Sequence, residues 1–384
     1  MKAEQLFQAI GGVESSRLME SELRMKNPPL SQKKEEPIMK EKKRARVIRN
    51  LLVAAVLVSV LAITAVAAGN SFGLREYLSE LGMKDSEALE KLSVIPTETP
   101  GTETVQPSVS SPEEQDAPAD GNEGVSYWNR FAKYTVYEAV LDRNAIYVAV
   151  KITPLDSETT LVPDIAFDED IVTADGKTLA DLLKEEETTG RKLTHAGVRL
   201  NNSDGSVEGL GYTYKFDEEG NLYYFISGQN TYDGTEMSIH CVGLARTGDM
   251  SLAERVEFDV ALASKSTEVK QFEAEIVDPG KVYEETGIRM GKIECEETEL
   301  GVYFTVSYTV FDSQYEYLSM WLLGADGEEL PRLPGISFQR EQLPDGSYSQ
   351  KLGYQKLKST EGLQLVIKDV WNDISYGPYP VDFH

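Results

Sequence analysis

Between Leu51 and Ala68 the chain runs eighteen residues without a charge: Leu-Leu-Val-Ala-Ala-Val-Leu-Val-Ser-Val-Leu-Ala-Ile-Thr-Ala-Val-Ala-Ala. As a helix rising about 1.5 Å per residue, this run spans roughly 27 Å, close to the hydrocarbon thickness of a bilayer. A helix that is apolar on every side needs lipid or a large core around it. Ser59 and Thr64 can bond back to helix carbonyls, so they do not bar a span. The charge on either side sets a direction. Residues 1–50 hold twelve Lys and Arg against seven Asp and Glu, a balance of +5, whereas the whole chain carries −26. Everything after the run is therefore strongly acidic, at −31. Lys40, Lys42, Lys43, Arg44, Arg46 and Arg49 crowd the upstream edge. Basic residues stay on the cytoplasmic side of a first span. The expectation is a single-pass protein of the cell membrane, spanning over 47–69, with a cytoplasmic N-terminus and its C-terminal domains outside. Ala65-Val66-Ala67 also fits an A-x-A cleavage pattern. The charged region ahead of the run, residues 1–46, is far longer than the n-region of a signal peptide, which favours an uncleaved anchor.

The tail, 1–46, is too short for a core of its own. Ala3–Ile10 reads as a helix stopped by Gly11-Gly12, and Val13–Met25 as a second helix ended by Pro28-Pro29. Leu6 and Ile10 share one face, and Leu18, Met19 and Leu23 form another stripe. Helices with apolar faces and nothing to bury them against suit a groove on a cytoplasmic partner, or else rest on the lipid surface.

Past the span, 70–94 reads as a juxtamembrane helix, with Leu74, Tyr77, Leu78 and Leu81 at helical spacing. Residues 95–124 then hold five Pro and seven Asp and Glu, with no Lys, Arg or aromatic residue. That composition predicts a disordered acidic linker, a stalk reaching on the order of 30 Å that lifts the C-terminal domains off the membrane.

From Tyr127 onward the pattern is that of strands: Ala145–Ile152, Asn221–Ile226 and Leu363–Ile367 are rich in Val, Ile, Tyr and Phe. Asp175-Gly176, Asp233-Gly234, Asp326-Gly327 and Asp345-Gly346 are hairpin signals. The pattern also repeats. Ala145–Asp156 aligns with Gly301–Asp312 and Ala174–Leu179 with Ala325–Leu330, while Thr235–Val242 and Thr360–Ile367 occupy matching places. The fold expected is mainly β, two tandem immunoglobulin-like sandwiches over 125–265 and 266–384.

Chemistry is sparse. The acidity argues against nucleic acid as a partner. His195, His240 and His384 lack metal-ligand spacing, and no nucleophile elbow or phosphate loop occurs. Asp168-Glu169-Asp170 and Asp217-Glu218-Glu219 depart from the EF-hand loop pattern. Tyr223-Tyr224 and Trp321 are candidates for a carbohydrate platform, with core packing the simpler reading. Cys241 and Cys295 fall in different repeats and read as buried thiols rather than a bridge. The residues suggest no enzyme activity, no metal and no cofactor.

One resemblance bears on the tail. Glu4-Gln-Leu-Phe-Gln-Ala-Ile-Gly-Gly-Val-Glu-Ser-Ser-Arg-Leu-Met-Glu20 resembles the opening of a large set of Gram-positive bacterial membrane proteins that are similar to anti-sigma factors. In these a basic run, one span and a β-rich extracytoplasmic domain of unknown function follow. Ala9, Ile10, Gly11, Val13, Leu18 and Glu20 occupy the family-like positions. Ser15 and Ser16 depart from it, since acidic residues are usual there. The resemblance implies transcription regulation: the tail sequesters a sigma factor through Leu6, Phe7, Ile10, Val13, Leu18, Met19 and Leu23, and the acidic ectodomain senses an extracellular ligand or cue. The alternative is a surface binding or adhesion protein, with the tail a mere anchor in the lipid bilayer.

Overall fold

The computed structural model describes residues 72–83, 86–98, 124–190, 193–201, 207–232, 236–247, 253–263, 268–311, 318–336, 340–370 and 372–384. No helix among these is long and apolar enough to cross a membrane; the run 51–68 lies outside them.

The described chain is mostly β, as the alternating Val, Ile, Tyr and Phe runs require, and it forms two β units. The first contains β1 (Ser93–Val94), β2 (Thr97–Glu98), β3 (Val125–Trp128), β4 (Ala132–Leu141), β5 (Ala145–Pro154), β6 (Thr160–Pro163), β7 (Leu193–Asn201), β8 (Val207–Phe216), β9 (Leu222–Asn230), β10 (Glu236–Thr247) and β11 (Glu254–Ala263). One sheet runs β1-β4-β5-β9-β8 with β3 also on β4, and the other β2-β11-β10-β7-β6. They share a core that includes Val148, Val150, Ile226, Val198, Phe258 and Val260.

The second unit contains β12 (Lys270–Ile276), β13 (Ile288–Glu297), β14 (Gly301–Val310), β15 (Leu318–Leu323), β16 (Arg340–Gln342), β17 (Tyr348–Gln355), β18 (Gln364–Asp369) and β19 (Ile374–Phe383). Its order is β15-β18-β19-β12-β13-β14-β17-β16, around a core that includes Phe304, Val306, Leu322, Leu365 and Ile367. The two orders correspond. The path β3-β4-β5-β9-β8 matches β12-β13-β14-β17-β16, and β11-β10-β7 matches β19-β18-β15. The β4–β5 and β13–β14 hairpins have ten-residue strands and begin and end at the same constant offset. In the second unit the ladder of β12 with β19 joins the two halves into one path.

Four helices are present among the described residues. α1 (Leu74–Glu80) and α2 (Ser86–Leu92) precede the strands. α3 (Leu179–Thr189) starts at a capping box of Thr178 with Asp181 and stops at Gly190, which takes the left-handed conformation that favours glycine. α4 (Pro279–Thr286) has Asp278 as its cap and Pro279 in its first turn.

α1 and α2 have seven residues each, too few to hold a helix in water without tertiary contacts. They gain those contacts from the first unit. Phe72, Leu74, Leu78, Met83, Leu89 and Leu92 are buried with Tyr147, Tyr223, Phe225 and, from the second unit, Leu300, Tyr303 and Leu333. This second core explains β5 and β9. In β5, Ile146, Val148 and Val150 face the sandwich core, while Ala145, Tyr147 and Ala149 face the helices. Both faces are covered, so the strand is apolar almost throughout.

The expected stalk needs correction at its start. Ser93 and Val94 pair with Val140 and Ala139, and Thr97 and Glu98 pair with Ala261 and Val260. Residues 72–98 therefore belong to the first β unit. The acidic segment 99–123 joins β2 to β3 within that unit, so it does not separate residue 72 from the β body. The rest of the expected linker, and the expected border at 265, lie outside the described residues.

Candidate functional site at the seam between the two β units

Leu6, Phe7, Ile10, Val13, Leu18, Met19 and Leu23 all lie outside the described residues, as do Lys40, Lys42, Lys43, Arg44, Arg46 and Arg49. The other candidates have structural roles. His240 shares its ring nitrogens between Asp259, at 2.8 Å, and Glu257, at 3.4 Å. Burial, with Arg246 adding to it, pushes the His195 imidazole down. Asp217 caps the β8–β9 turn: its Oδ1 accepts from the Glu219 and Asn221 amides, and its Oδ2 from Asn221 Nδ2 and the Tyr223 hydroxyl. Asp170 accepts from the Phe167 amide at 2.8 Å. Among the described residues no three His, Cys, Asp or Glu side chains converge as a metal site. Tyr223 and Tyr224 are fully buried, so they form no carbohydrate platform; Trp321 is half-buried on β15.

Both cysteines are free and buried, Cys241 in the first core and Cys295 in the second. Burial pushes the Cys295 thiol up to about 12 and Cys241 higher still. Only the thiolate reacts. The native protein is therefore expected to leave both thiols unlabelled by a thiol reagent at pH 8, and to expose both in denaturant. Labelling without denaturant would show that a core opens.

The arrangement with functional content is where the units meet. The β4–β5 turn, Asp142-Arg143-Asn144, faces the β13–β14 turn, Thr298-Glu299-Leu300. Each is closed by the same bond, Asp142 N to Ala145 O and Thr298 N to Gly301 O, both 2.9 Å. Asp142 and Thr298 hold the same place in the two hairpins, and they bond to each other: Thr298 Oγ1 donates to Asp142 Oδ2 at 3.0 Å. The Tyr303 hydroxyl donates to the same oxygen at 2.8 Å. Tyr147, which matches Tyr303, donates to the Pro334 carbonyl at 3.0 Å. Matching residues thus meet across the seam, as they do in an isologous contact between identical subunits.

Around this pair lies a polar shell. Asn144 Nδ2 donates to Glu296 at 2.9 Å, and Lys351 Nζ donates to Asn144 Oδ1 at 2.7 Å. Asn230 Nδ2 donates to the Asp142 carbonyl at 2.7 Å. Asp142 Oδ1 is buried and has no hydrogen-bonding partner among the described groups. Burial holds the Asp142 carboxyl above the usual carboxylate range, against the pull of Tyr303, Thr298 and the backbone amides of Asn144 and Arg143. Burial also pushes the Lys351 ammonium down, opposed by Glu296.

The helices close the seam on one side. Leu74 N donates to Glu138 Oε2 at 2.7 Å, and the Tyr137 hydroxyl to the Phe72 carbonyl. Tyr77 stacks on Phe225 with centroids 4.1 Å apart, and its hydroxyl bonds with Thr213. Lys215, only 8% exposed, pairs with Glu80 and lies over the rings of Phe72 and Tyr77 at 5.3 and 5.8 Å. From the second unit Gln355 Nε2 donates to the Gly82 carbonyl at 3.1 Å. Sequence reasoning missed this site. The signals available were the short helical stripe of Leu74, Leu78 and Leu81 and the polar turns that interrupt two apolar runs.

Set against known proteins, the chain matches no protein-family model and no curated protein. A solved structure described as "the conserved domain protein from Bacillus anthracis" is similar over 63% of this chain and 74% of its own, at 9% identity and a TM-score of 0.38. That likeness is too loose to bear on fold or function.

Proposed function

We propose that this chain is a single-pass membrane regulator of the anti-sigma-factor-like kind. Its tail, 1–46, holds a sigma factor at the membrane, and its ectodomain of two tandem immunoglobulin-like sandwiches senses an extracellular cue. The resemblance of Glu4–Glu20 and the charge split around 51–68 support the tail and the topology. The observation that carries the sensing half is the docking of residues 72–92 into the seam. Only residues 69–71 separate the apolar run from Phe72, which is itself buried. A movement of one β unit against the other therefore acts on the chain leading into the membrane. An adhesion protein anchored by an inert tail has no need of that coupling.

The test is capture of the full-length tagged protein from solubilised membranes of the native host, with bound proteins identified by mass spectrometry. A sigma factor is expected with the wild type. Leu18→Asp together with Leu23→Asp should reduce its recovery about tenfold or more, the size expected for losing interfacial anchors. Recovery unchanged by both substitutions, or no sigma factor at all, would leave the surface-binding reading in its place.

A further inference from the structure

We propose that Asp142 makes the seam between the two β units a proton-controlled joint, closed when its carboxyl is neutral and loosened when the carboxyl gives its proton to solvent. The proposal concerns the β units alone and stands without the sigma-factor reading.

The geometry points to this in three ways. Asp142 is fully buried, yet among the described residues no lysine or arginine pairs with it. Its Oδ2 takes both bonds from the other unit, and its Oδ1 has no partner there. Thr298 can serve either form. Its Oγ1 lies 3.0 Å from Asp142 Oδ2 and 3.3 Å from the Gly301 carbonyl. With the carboxyl neutral, the acid hydrogen can go to Thr298 Oγ1 while the threonine donates to Gly301. With the carboxylate charged, the threonine must turn to it, and the charge stays buried with no cation beside it, held only by Thr298, Tyr303 and the pull of the Arg143 and Asn144 amides.

The charged and titratable groups facing Asp142 do not supply the missing partner. On its own hairpin, Arg143 is exposed and Tyr147 donates to Pro334. β9 presents only Asn230. On the second unit, β13 brings Glu296, which accepts from Asn144, its turn brings Glu299, and β14 brings Tyr303. Lys351 of β17 is spent on Asn144, and Lys91 and Lys356 reach Glu299 at the rim. The cations near this seam are thus exposed or engaged with Asn144 and Glu299, and none reaches the Asp142 carboxyl.

The sign follows from linkage. The closed seam raises the carboxyl above its ordinary value, and an open seam would return it to water. The closed state therefore binds the proton more tightly. As pH rises from the ordinary value towards the closed-state one, the closing equilibrium weakens by up to about tenfold per pH unit, and it is flat on either side.

Pulsed electron paramagnetic resonance on the full chain tests this, with spin labels at Asp175→Cys and Glu361→Cys, one exposed site in each unit. One narrow distance is expected in acid, giving way to a broader, longer distribution as pH rises above the ordinary carboxylate range. Asp142→Asn should keep the narrow distance at every pH. Should that variant fail to fold, Tyr303→Phe, which removes a donor that favours the carboxylate, should extend the transition to higher pH. A wild-type distance that ignores pH would overturn the proposal, as would the same transition in Asp142→Asn. So would a change that tracks loss of the β circular dichroism signal, since unfolding and not the joint would then be titrating.

Discussion

Leu78→Asp should release residues 72–92 from the β body while both β cores stay folded. Leu78 is fully buried, with Leu74 and Phe72 beside it and Tyr77 of the same helix stacked on Phe225. A buried leucine shortened to alanine already costs about 2–5 kcal/mol, and an unpaired carboxylate in its place adds a desolvation cost of several more. α1 has no stability of its own to set against that loss, because seven residues cannot sustain a helix in water. The main cores of the two β units do not include Leu78, so they should not respond. Hydrogen exchange would show it: amides of 74–92 should lose protection by orders of magnitude, while those of β5, β10 and β14 keep theirs. Leu81→Asp, at the C-cap of the same helix and 36% exposed, should change little. Equal protection in wild type and Leu78→Asp would mean that the helices are not held by this core.

The second large effect is an asymmetry. Glu80→Ala should destabilise the docked helix more than Lys215→Met does. Lys215 is 8% exposed and Glu80 38%. Removing the glutamate strands an ammonium under the rings of Phe72 and Tyr77, and breaking a buried pair this way costs about 3–5 kcal/mol. The partial exposure of Glu80 and the favourable ring contacts bring the expectation to the lower end of that range. Lys215→Met keeps the apolar stem that packs there and leaves a carboxylate already half in water, so the loss should be about 1 kcal/mol or less. The double variant should recover most of the loss in Glu80→Ala. Thermal unfolding of the four proteins measures the cycle; equal losses in the two single variants would show that Lys215 reaches solvent without its partner.

The β character and the pairing of related hairpins could be read from single strings of residues. The match of Ala145–Asp156 with Gly301–Asp312 is visible because β5 and β14 bury the same alternate positions in their own cores. The turn signals at Asp175-Gly176, Asp326-Gly327 and Asp345-Gly346 each mark a turn between antiparallel partners, with the glycines at φ 86°, 80° and 85°, while Asp233-Gly234 lies outside the described residues. The seam hairpins turn instead through Asp142-Arg143-Asn144 and Thr298-Glu299-Leu300, which carry no glycine. Their turns are completed by bonds to the opposite unit, and nothing local announces such a bond.

The segment after the apolar run shows the same limit more clearly. Leu74, Tyr77, Leu78 and Leu81 mark a helix with one apolar face, which is all that periodicity can say. Periodicity cannot say what covers the face, so a helix beside a membrane and a helix in a β seam have the same sequence pattern. The run Leu222–Ile226 held the counterpart of that signal. Its residues are buried on both sides: Tyr224 and Ile226 face the sandwich, and Tyr223 and Phe225 face the helices. A strand covered on one face alone would alternate with polar residues.

Local and repetitive properties of this protein were thus legible in its residues alone: which long runs are strand, that a helix follows the apolar run, where charge changes sign, and which strands are related; α3 and α4 were not read. They arise from side-chain chemistry at short range, where a period of two or of 3.6 residues is the physical signal. It took the packed fold to place residues 72–98 in the first β unit, to bring Lys215 to Glu80 across 135 residues of chain, and to set Asp142 against its counterpart Thr298 across 156. Those contacts depend on which surfaces exclude water together. That is a property of the packed assembly, and no window of neighbouring residues contains it.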